Sequence, residues 1–311
     1  MSPPQRRSAR RIAGPAAVGC LALAGAACGS AGSGPVEASQ PPTIAVVSSI
    51  DSWGSILTQL GGDRVTETSI VASPEVRSKT YRPTPADLAH LAAAKVLVVN
   101  GIGYDPWAVA AARADRPSSK VVVDVGAVVG PAARGNPHQS YSATAVHRVV
   151  DALTAALVQA DPGGAAYYAS RRELFGTLAL TPYDELERSI SAQYAGVPIG
   201  ASAAMAAPLA TSLGLDVVTP PGYLAAVGRG LSPTPADAAV VADQIRTRTV
   251  RVFLDDVQDS TPGVAAAVKA AGKANVPVVT LTETLSPAGA TFQAWQLQQL
   301  TALRNALLER H

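Results

Sequence analysis

Few residues in this chain are equipped for chemistry: the sequence has two cysteines and four histidines. Cys28 follows Ala24-Gly25-Ala26-Ala27 and precedes Gly29-Ser30. Small residues running into a cysteine have the form of a bacterial lipobox, which predicts cleavage before Cys28 and lipidation of its thiol. Cys20 also has small neighbours, but cleavage there would leave Leu21 to Ala27 as an unused apolar segment. With one thiol remaining, an internal disulfide is excluded, and so is a zinc site built on thiolates. Carboxylates follow strand candidates: Asp51 the first, and Asp255 and Asp256 the run Val250-Arg251-Val252-Phe253-Leu254. Such strand-end carboxylates face the ligand side of an open α/β sheet. No catalytic signature accompanies them. Gly200-Ala201-Ser202-Ala203-Ala204 lacks the last glycine of a nucleophile elbow, and there is no P-loop, H-E-x-x-H or dinucleotide fingerprint. The chain is expected not to be an enzyme.

The elements that must hold these residues follow from the hydrophobic pattern. Arg6, Arg7, Arg10 and Arg11 precede an uncharged stretch from Ile12 to Ala27, too short and too broken by Gly and Pro for a spanning helix. Residues 1–27 therefore read as a lipoprotein signal peptide, and the Gly/Ser/Pro-rich 28–42 as a flexible tether. With those four arginines set aside, 21 Lys and Arg face 23 Asp and Glu. No basic run remains, so nucleic acid is not an expected partner. From Thr43 onward, short apolar runs alternate with helical patterns. Ile44 to Val47, Val96 to Val99, and Val121 to Val123 read as strands in the first half. Val197 to Ile199, Val217-Val218, Val250 to Leu254, and Val276 to Leu281 do so in the second. The fold class is α/β: two lobes with mainly parallel sheets flanked by helices, joined by long bridging helices. The boundaries expected are 43–142 for the first lobe, 143–194 for the bridge and 195–311 for the second lobe. Helix restarts are predicted in the bridge at Asp161-Pro162 and Thr181-Pro182.

An internal echo supports two similarly built halves. Pro83-Thr84-Pro85-Ala86-Asp87 recurs as Pro233-Thr234-Pro235-Ala236-Asp237. In each copy Thr suits the N-cap, Pro the first helical position, and Asp the third, where a carboxylate favours the helix N-terminus.

Several further segments occur in order: Ser49-Ile50-Asp51-Ser52-Trp53-Gly54, Gly61-Gly62-Asp63, Tyr81 to Leu88, Val98-Val99-Asn100-Gly101, Asn136-Pro137-His138, and Thr282-Glu283-Thr284-Leu285. Together they resemble the zinc/manganese-binding substrate-binding lipoproteins of ABC importers, in the cluster whose lobes are bridged by a long helix. Gly196 to Ser202 and Ala288 to Trp295 are similar to actinobacterial members. The resemblance implies one metal ion, Zn or Mn, captured between the lobes by four side chains as transported ligand, with no catalytic cofactor. Carried over position by position, the second ligand falls on His138 and the fourth on Glu283. The first position holds Lys79, in Arg77-Ser78-Lys79-Thr80-Tyr81, and the third holds Ala203. An ammonium has no lone pair for a metal. Three readings stay open. Asp51 and Asp256, or Asp255, complete a metal site with His138 and Glu283. Alternatively, Lys79 occupies the cation position and pairs with Glu283, giving a metal-independent accessory or adhesive surface lipoprotein. In the third reading, Lys79 and Arg77 make the cleft a site for an organic or anionic ligand. The resemblance further implies an ABC permease and its ATPase as partners, and a monomer on the outer face of the cell membrane, anchored at Cys28.

Overall fold

The structure is a computed structural model. It describes residues 43–114, 119–133, 135–258 and 261–309. The expected signal peptide, the tether with Cys28, and His311 lie outside the described residues.

The described residues form two four-stranded sheets, both parallel throughout. The first comprises β1 (Ile44–Ile50), β2 (Val65–Val71), β3 (Val96–Val99) and β4 (Val121–Asp124), in the order β2-β1-β3-β4. The second comprises β5 (Pro198–Ala201), β6 (Asp216–Val217), β7 (Phe253–Asp256) and β8 (Val278–Leu281), in the order β6-β5-β7-β8. The order is therefore the same in each half, as the repeated sequence pattern implies. Among the described residues, twelve α-helices flank the sheets.

Strand composition explains the layers. In β3, successive side chains point to opposite faces. Val96 and Val98 join a core shared by both halves, while Leu97 and Val99 join a smaller cluster with Leu91 and Ala108 under the outer helices. All four are buried on both sides, which is why the run is continuously apolar rather than alternating. The second half has its own outer cluster around Phe253, Val241, Ile245 and Val264.

The shared core continues from one sheet to the other through the helices between them. Val149 and Leu153 of the helix Ala143–Ala160, Ile190 of the helix Thr181–Tyr194, and Trp295 and Leu303 of the helix Phe292–Leu308 all belong to it. The bridge stops and restarts where the prolines dictate. The helix Ala143–Ala160 ends before Asp161-Pro162. The next helix, Ala165–Leu174, runs through a π-turn at Phe175–Ala179 into Thr181–Tyr194. Pro182 has no N–H and crowds the carbonyl four residues back, so the preceding turn widens and Leu180 N–H donates to Phe175 O at 2.9 Å.

Both Pro-Thr-Pro-Ala-Asp copies start helices as their chemistry requires. Thr84 and Thr234 accept hydrogen bonds from the backbone N–H of Asp87 and Asp237 at 3.2 and 3.1 Å. The Asp87 carboxylate reaches back to Thr84 N–H, closing a capping box.

Candidate functional site

The first helix, Asp51–Gly61, packs closely on β1 and β2. A Cβ on Gly54 would stand 2.1 Å from Ser69 Oγ, so only glycine permits that approach. The packing places Trp53, fully buried, with its Nε1–H donating to Asn100 Oδ1 at 2.8 Å. Asn100 follows β3, and its Nδ2 donates to Pro137 O at 2.9 Å. The segment Asn136-Pro137-His138 is thus suspended from the strand ends of the first sheet.

Asn136 then orients the histidine. Its Oδ1 accepts from His138 N–H at 2.9 Å and lies 3.0 Å from Nδ1, while its Nδ2 donates to Ala204 O in the second half at 2.8 Å. Because that oxygen can only accept, Nδ1 carries hydrogen and Nε2 is the nitrogen left for other work. His138 Nε2 lies 3.0 Å from Glu283 Oε1.

Glu283 is held as firmly from the other side. Its neighbour Thr282 donates its N–H to Gln299 Oε1 at 3.0 Å, and Thr282 O accepts from Tyr141 OH at 2.7 Å. Glu283 N–H donates to Gln258 Oε1 at 3.0 Å, and its Oε2 accepts from Tyr104 OH at 3.0 Å. Burial pushes this carboxyl up, but the hydrogen bond and charge of His138, with Tyr104 and the Arg77 guanidinium, hold it below the usual range. Burial, and then the Glu283 charge, raise the Tyr104 phenol well above its ordinary value, so Tyr104 acts as a donor.

These groups border a cavity of about 680 Å³, whose wall also carries Arg77, Lys79, Ala204 and Arg229. Lys79 lies on a short turn, Ser78–Thr80, pinned where Trp107 Nε1–H donates to Ser78 O at 3.0 Å. It is exposed, and the Glu283 carboxylate takes His138 and Tyr104 as its hydrogen-bond partners. Arg77 is the cation whose field reaches Glu283, and its guanidinium donates to Gln258 O in the second half.

Of the sequence-derived metal set, the structure brings His138 and Glu283 together. Asp51 turns one oxygen to the second half: its Oδ2 accepts from Leu285 N–H at 3.0 Å, its buried Oδ1 has no hydrogen-bond partner among the described residues, and burial pushes its carboxyl up to about 6. Asp256 is buried, with Oδ1 accepting from Gln258 N–H at 2.9 Å. Asp255 accepts from Ser202 Oγ at 2.7 Å. Among the described residues, no group of three or more His, Cys, Asp or Glu side chains is placed to hold a metal ion. The expected four-residue set therefore does not come together: Asp51 Oδ2 and Asp256 Oδ1 accept from backbone amides, and Asp255 from a serine hydroxyl. Ala203 is 1% exposed and belongs to the shared core, whereas Ala204 lines the cavity. His147 lies 3.0 Å from Asp184 in the bridge, away from the cavity wall, and His90 is exposed.

Sequence reasoning missed Tyr104, Gln258 and Arg229. Tyr104 had a legible signal, since Gly101-Ile102-Gly103-Tyr104 is a glycine-rich turn at the ligand-side end of β3. Gln258 and Arg229 had none.

Two parallel α/β sheets that share a core and send loops to a common cavity define a two-lobed binding protein of the periplasmic type. The chain belongs to the ZnuA family, described as zinc-uptake complex component A, periplasmic, whose pattern matches residues 46–306. That family is one of substrate-binding receptors, not enzymes. A curated relative, the manganese-binding lipoprotein MntA of Halalkalibacterium halodurans, is 28% identical over 183 residues, 57% of this chain. The chain spans 58% of that relative's length. Similar solved structures include the Cd-bound and Mn-bound periplasmic metal binding protein of Candidatus Liberibacter asiaticus. The TM-scores are 0.71 and 0.70 at 17% and 18% identity, covering 86% of this chain and 100% of theirs. The binding protein FpvC of P. aeruginosa in complex with Ni²⁺ has a TM-score of 0.69 at 18% identity, covering 85% of this chain and 97% of that one.

Proposed function

We propose that this chain is the extracytoplasmic solute receptor of an ABC importer, delivering a divalent metal, zinc or manganese, to a membrane permease driven by a cytoplasmic ATPase. Residues 43–142 and 195–311 act as its lobes and 143–194 as the bridge. Cys28 tethers it to the outer face of the cell membrane through lipid. Among the described residues no helix is long and apolar enough to cross a membrane, which is compatible with such a tether.

One observation carries the reading. An imidazole nitrogen and a carboxylate oxygen from the two halves converge to 3.0 Å at the cavity wall, with the other ring nitrogen oriented by an amide oxygen. This is how a metal-binding histidine is ordinarily held. The two donors suit zinc and manganese alike, but they fall short of the four or more that a bare ion takes from a closed protein site. Calorimetry with Zn²⁺ and Mn²⁺, together with metal analysis of protein from its own host, tests the reading. Stoichiometric metal in the host-purified protein is expected, and its complete absence there would overturn the proposal.

A second reading has one observation in its favour. The His138, Glu283 and Tyr104 side chains already satisfy one another, as they would in a metal-independent accessory or adhesive protein of the same fold. In that reading the cation beside Glu283 is Arg77 rather than Lys79. Metal-free protein from the host, with unchanged surface function, would favour it.

A further inference from the structure

Charge is the feature of this cavity that a bare-ion receptor does not explain. Its described wall carries three cationic side chains, Arg77, Lys79 and Arg229, against one carboxylate, Glu283. That carboxylate is already engaged by His138 and Tyr104. A naked dication approaching this wall meets repulsion, and an anion meets attraction. Lys79 and Arg229 are exposed, and neither side chain has a hydrogen-bond or ion-pair partner among the described residues. They are available to a ligand. An arginine fork and a lysine ammonium are the usual partners of carboxylate oxygens.

Size points the same way. About 680 Å³ falls within the range of pockets that enclose small organic molecules, on the order of 300–1,000 Å³. A tightly coordinated single ion needs far less. The donor count agrees too. His138 Nε2 and Glu283 offer two positions, and no third His, Cys, Asp or Glu joins them among the described residues. A metal held there must bring most of its own oxygen ligands.

We infer that the cargo occupies this cleft as an anionic chelate: a divalent metal held by a small polycarboxylate, with His138 and Glu283 on the metal and Arg77, Lys79 and Arg229 on the chelator's carboxylates. This rests on the metal-receptor reading above and names the form in which that metal arrives. The family's missing donors at 79 and 203 then become a change of cargo form. The position that would hold a first histidine carries a cation suited to a carboxylate, and the chelator supplies the oxygens that position 203 does not.

The test is calorimetry on the full chain with three probes: Mn²⁺ alone, metal-free citrate, and the Mn²⁺–citrate complex. The complex is expected to bind at least about tenfold tighter than either component, one charge-assisted contact being worth roughly that factor. Lys79→Ala and Arg229→Ala, both at exposed positions, should each weaken the complex by about tenfold while leaving Mn²⁺ alone no weaker. If Mn²⁺ alone binds as tightly as the complex and both variants behave as the parent, the chelate inference is wrong and the receptor reading survives. Citrate binding equally well with and without metal would remove the metal from the cleft and overturn both, as would an absence of heat with all three probes.

Discussion

His138 Nε2 and Glu283 Oε1 lie 3.0 Å apart although 145 positions separate them in the chain. The imidazole is 12% exposed and the carboxylate 21%. In such a half-dry setting a hydrogen bond to a charged group contributes about 1.5–3 kcal/mol. Glu283→Ala should therefore lower the unfolding free energy by about 1–3 kcal/mol in urea titrations and abolish binding of Mn²⁺ in any form. Glu283→Gln keeps an acceptor for Tyr104 and a partner for His138, so stability should recover while metal affinity stays lost. A Gln variant that still binds metal at parental strength would show that Glu283 is not a ligand.

Asn100 is the peg from which the histidine loop hangs. Its amide connects Trp53 Nε1–H to Pro137 O, and the residue is buried. Asn100→Ala strands a buried donor and a buried acceptor, each costing about 1–3 kcal/mol. The expected loss is about 2–4 kcal/mol in unfolding free energy, with weakened metal or chelate binding because His138 is no longer aimed. A change within about 0.5 kcal/mol, the usual range for surface positions, would mean that the loop is fixed by other contacts.

What the sequence disclosed and what it hid divide along a physical line. The apolar runs within β1, β3, β4 and β8 (Ile44 to Val47, Val96 to Val99, Val121 to Val123, and Val278-Val279) are legible because a strand packed on both faces favours apolar side chains on both. β2 is not. Val65-Thr66-Glu67-Thr68-Ser69-Ile70-Val71 is an edge strand whose inward-facing Glu67 is satisfied by Ser48 and Ser69, at 2.8 and 2.9 Å. Its buried polar cluster imitates a loop. The same limit applies at the site. His138 and Glu283 are readable from their motifs and adjoin in the structure, but Asp51 and Asp256 are not grouped with them. A strand-end position tells which rim of the sheet a residue occupies, not which backbone N–H will claim its carboxylate. Leu285 N–H and Gln258 N–H do so here, and both come from the second half of the chain.

Stability should fall as pH rises through the weakly acidic range. Glu187, buried in the bridge, accepts from Tyr183 OH at 3.0 Å. Burial nonetheless pushes its carboxyl up to about 7 from 4.5, and Asp51 moves to about 6 from 3.8 for the same reason. A folded value above the unfolded one means that the native state holds the proton more tightly, so the unfolding free energy declines between about pH 4 and pH 7. Glu283, Asp87 and Asp161, held low in the folded state, act in the opposite direction at more acid pH. Glu187→Gln is neutral throughout and retains the tyrosine contact. It should flatten the profile and gain on the order of 2–3 kcal/mol at pH 8, at about 1.4 kcal/mol per unit. Urea titrations at pH 5 and pH 8 measure this, and identical slopes for parent and variant would count against it.

Restoring a bare-ion site distinguishes two neighbouring alanines. Motif alignment places the missing third donor at Ala203, yet that residue is in the shared core and it is Ala204 that borders the cavity. A carboxylate at 203 would be drawn out of water with no partner, so Ala203→Glu should cost several kcal/mol and raise its own pKa rather than bind metal. Ala204→Glu extends into the cavity that His138 and Glu283 border. Combined with Lys79→His, which removes a cation and adds a nitrogen donor, it should raise affinity for Mn²⁺ or Zn²⁺ alone by at least about tenfold. Saturating metal should then raise the melting temperature, because binding to the native state alone stabilises it by RT ln(1 + [L]/Kd). Thermal shift with and without metal, on Lys79→His with Ala203→Glu and on Lys79→His with Ala204→Glu side by side, separates the cases. Metal-dependent stabilisation of the 203 variant but not the 204 variant would mean that the turn after β5 rotates to present the other side chain, and that the alignment, not the packing, identifies the ligand position.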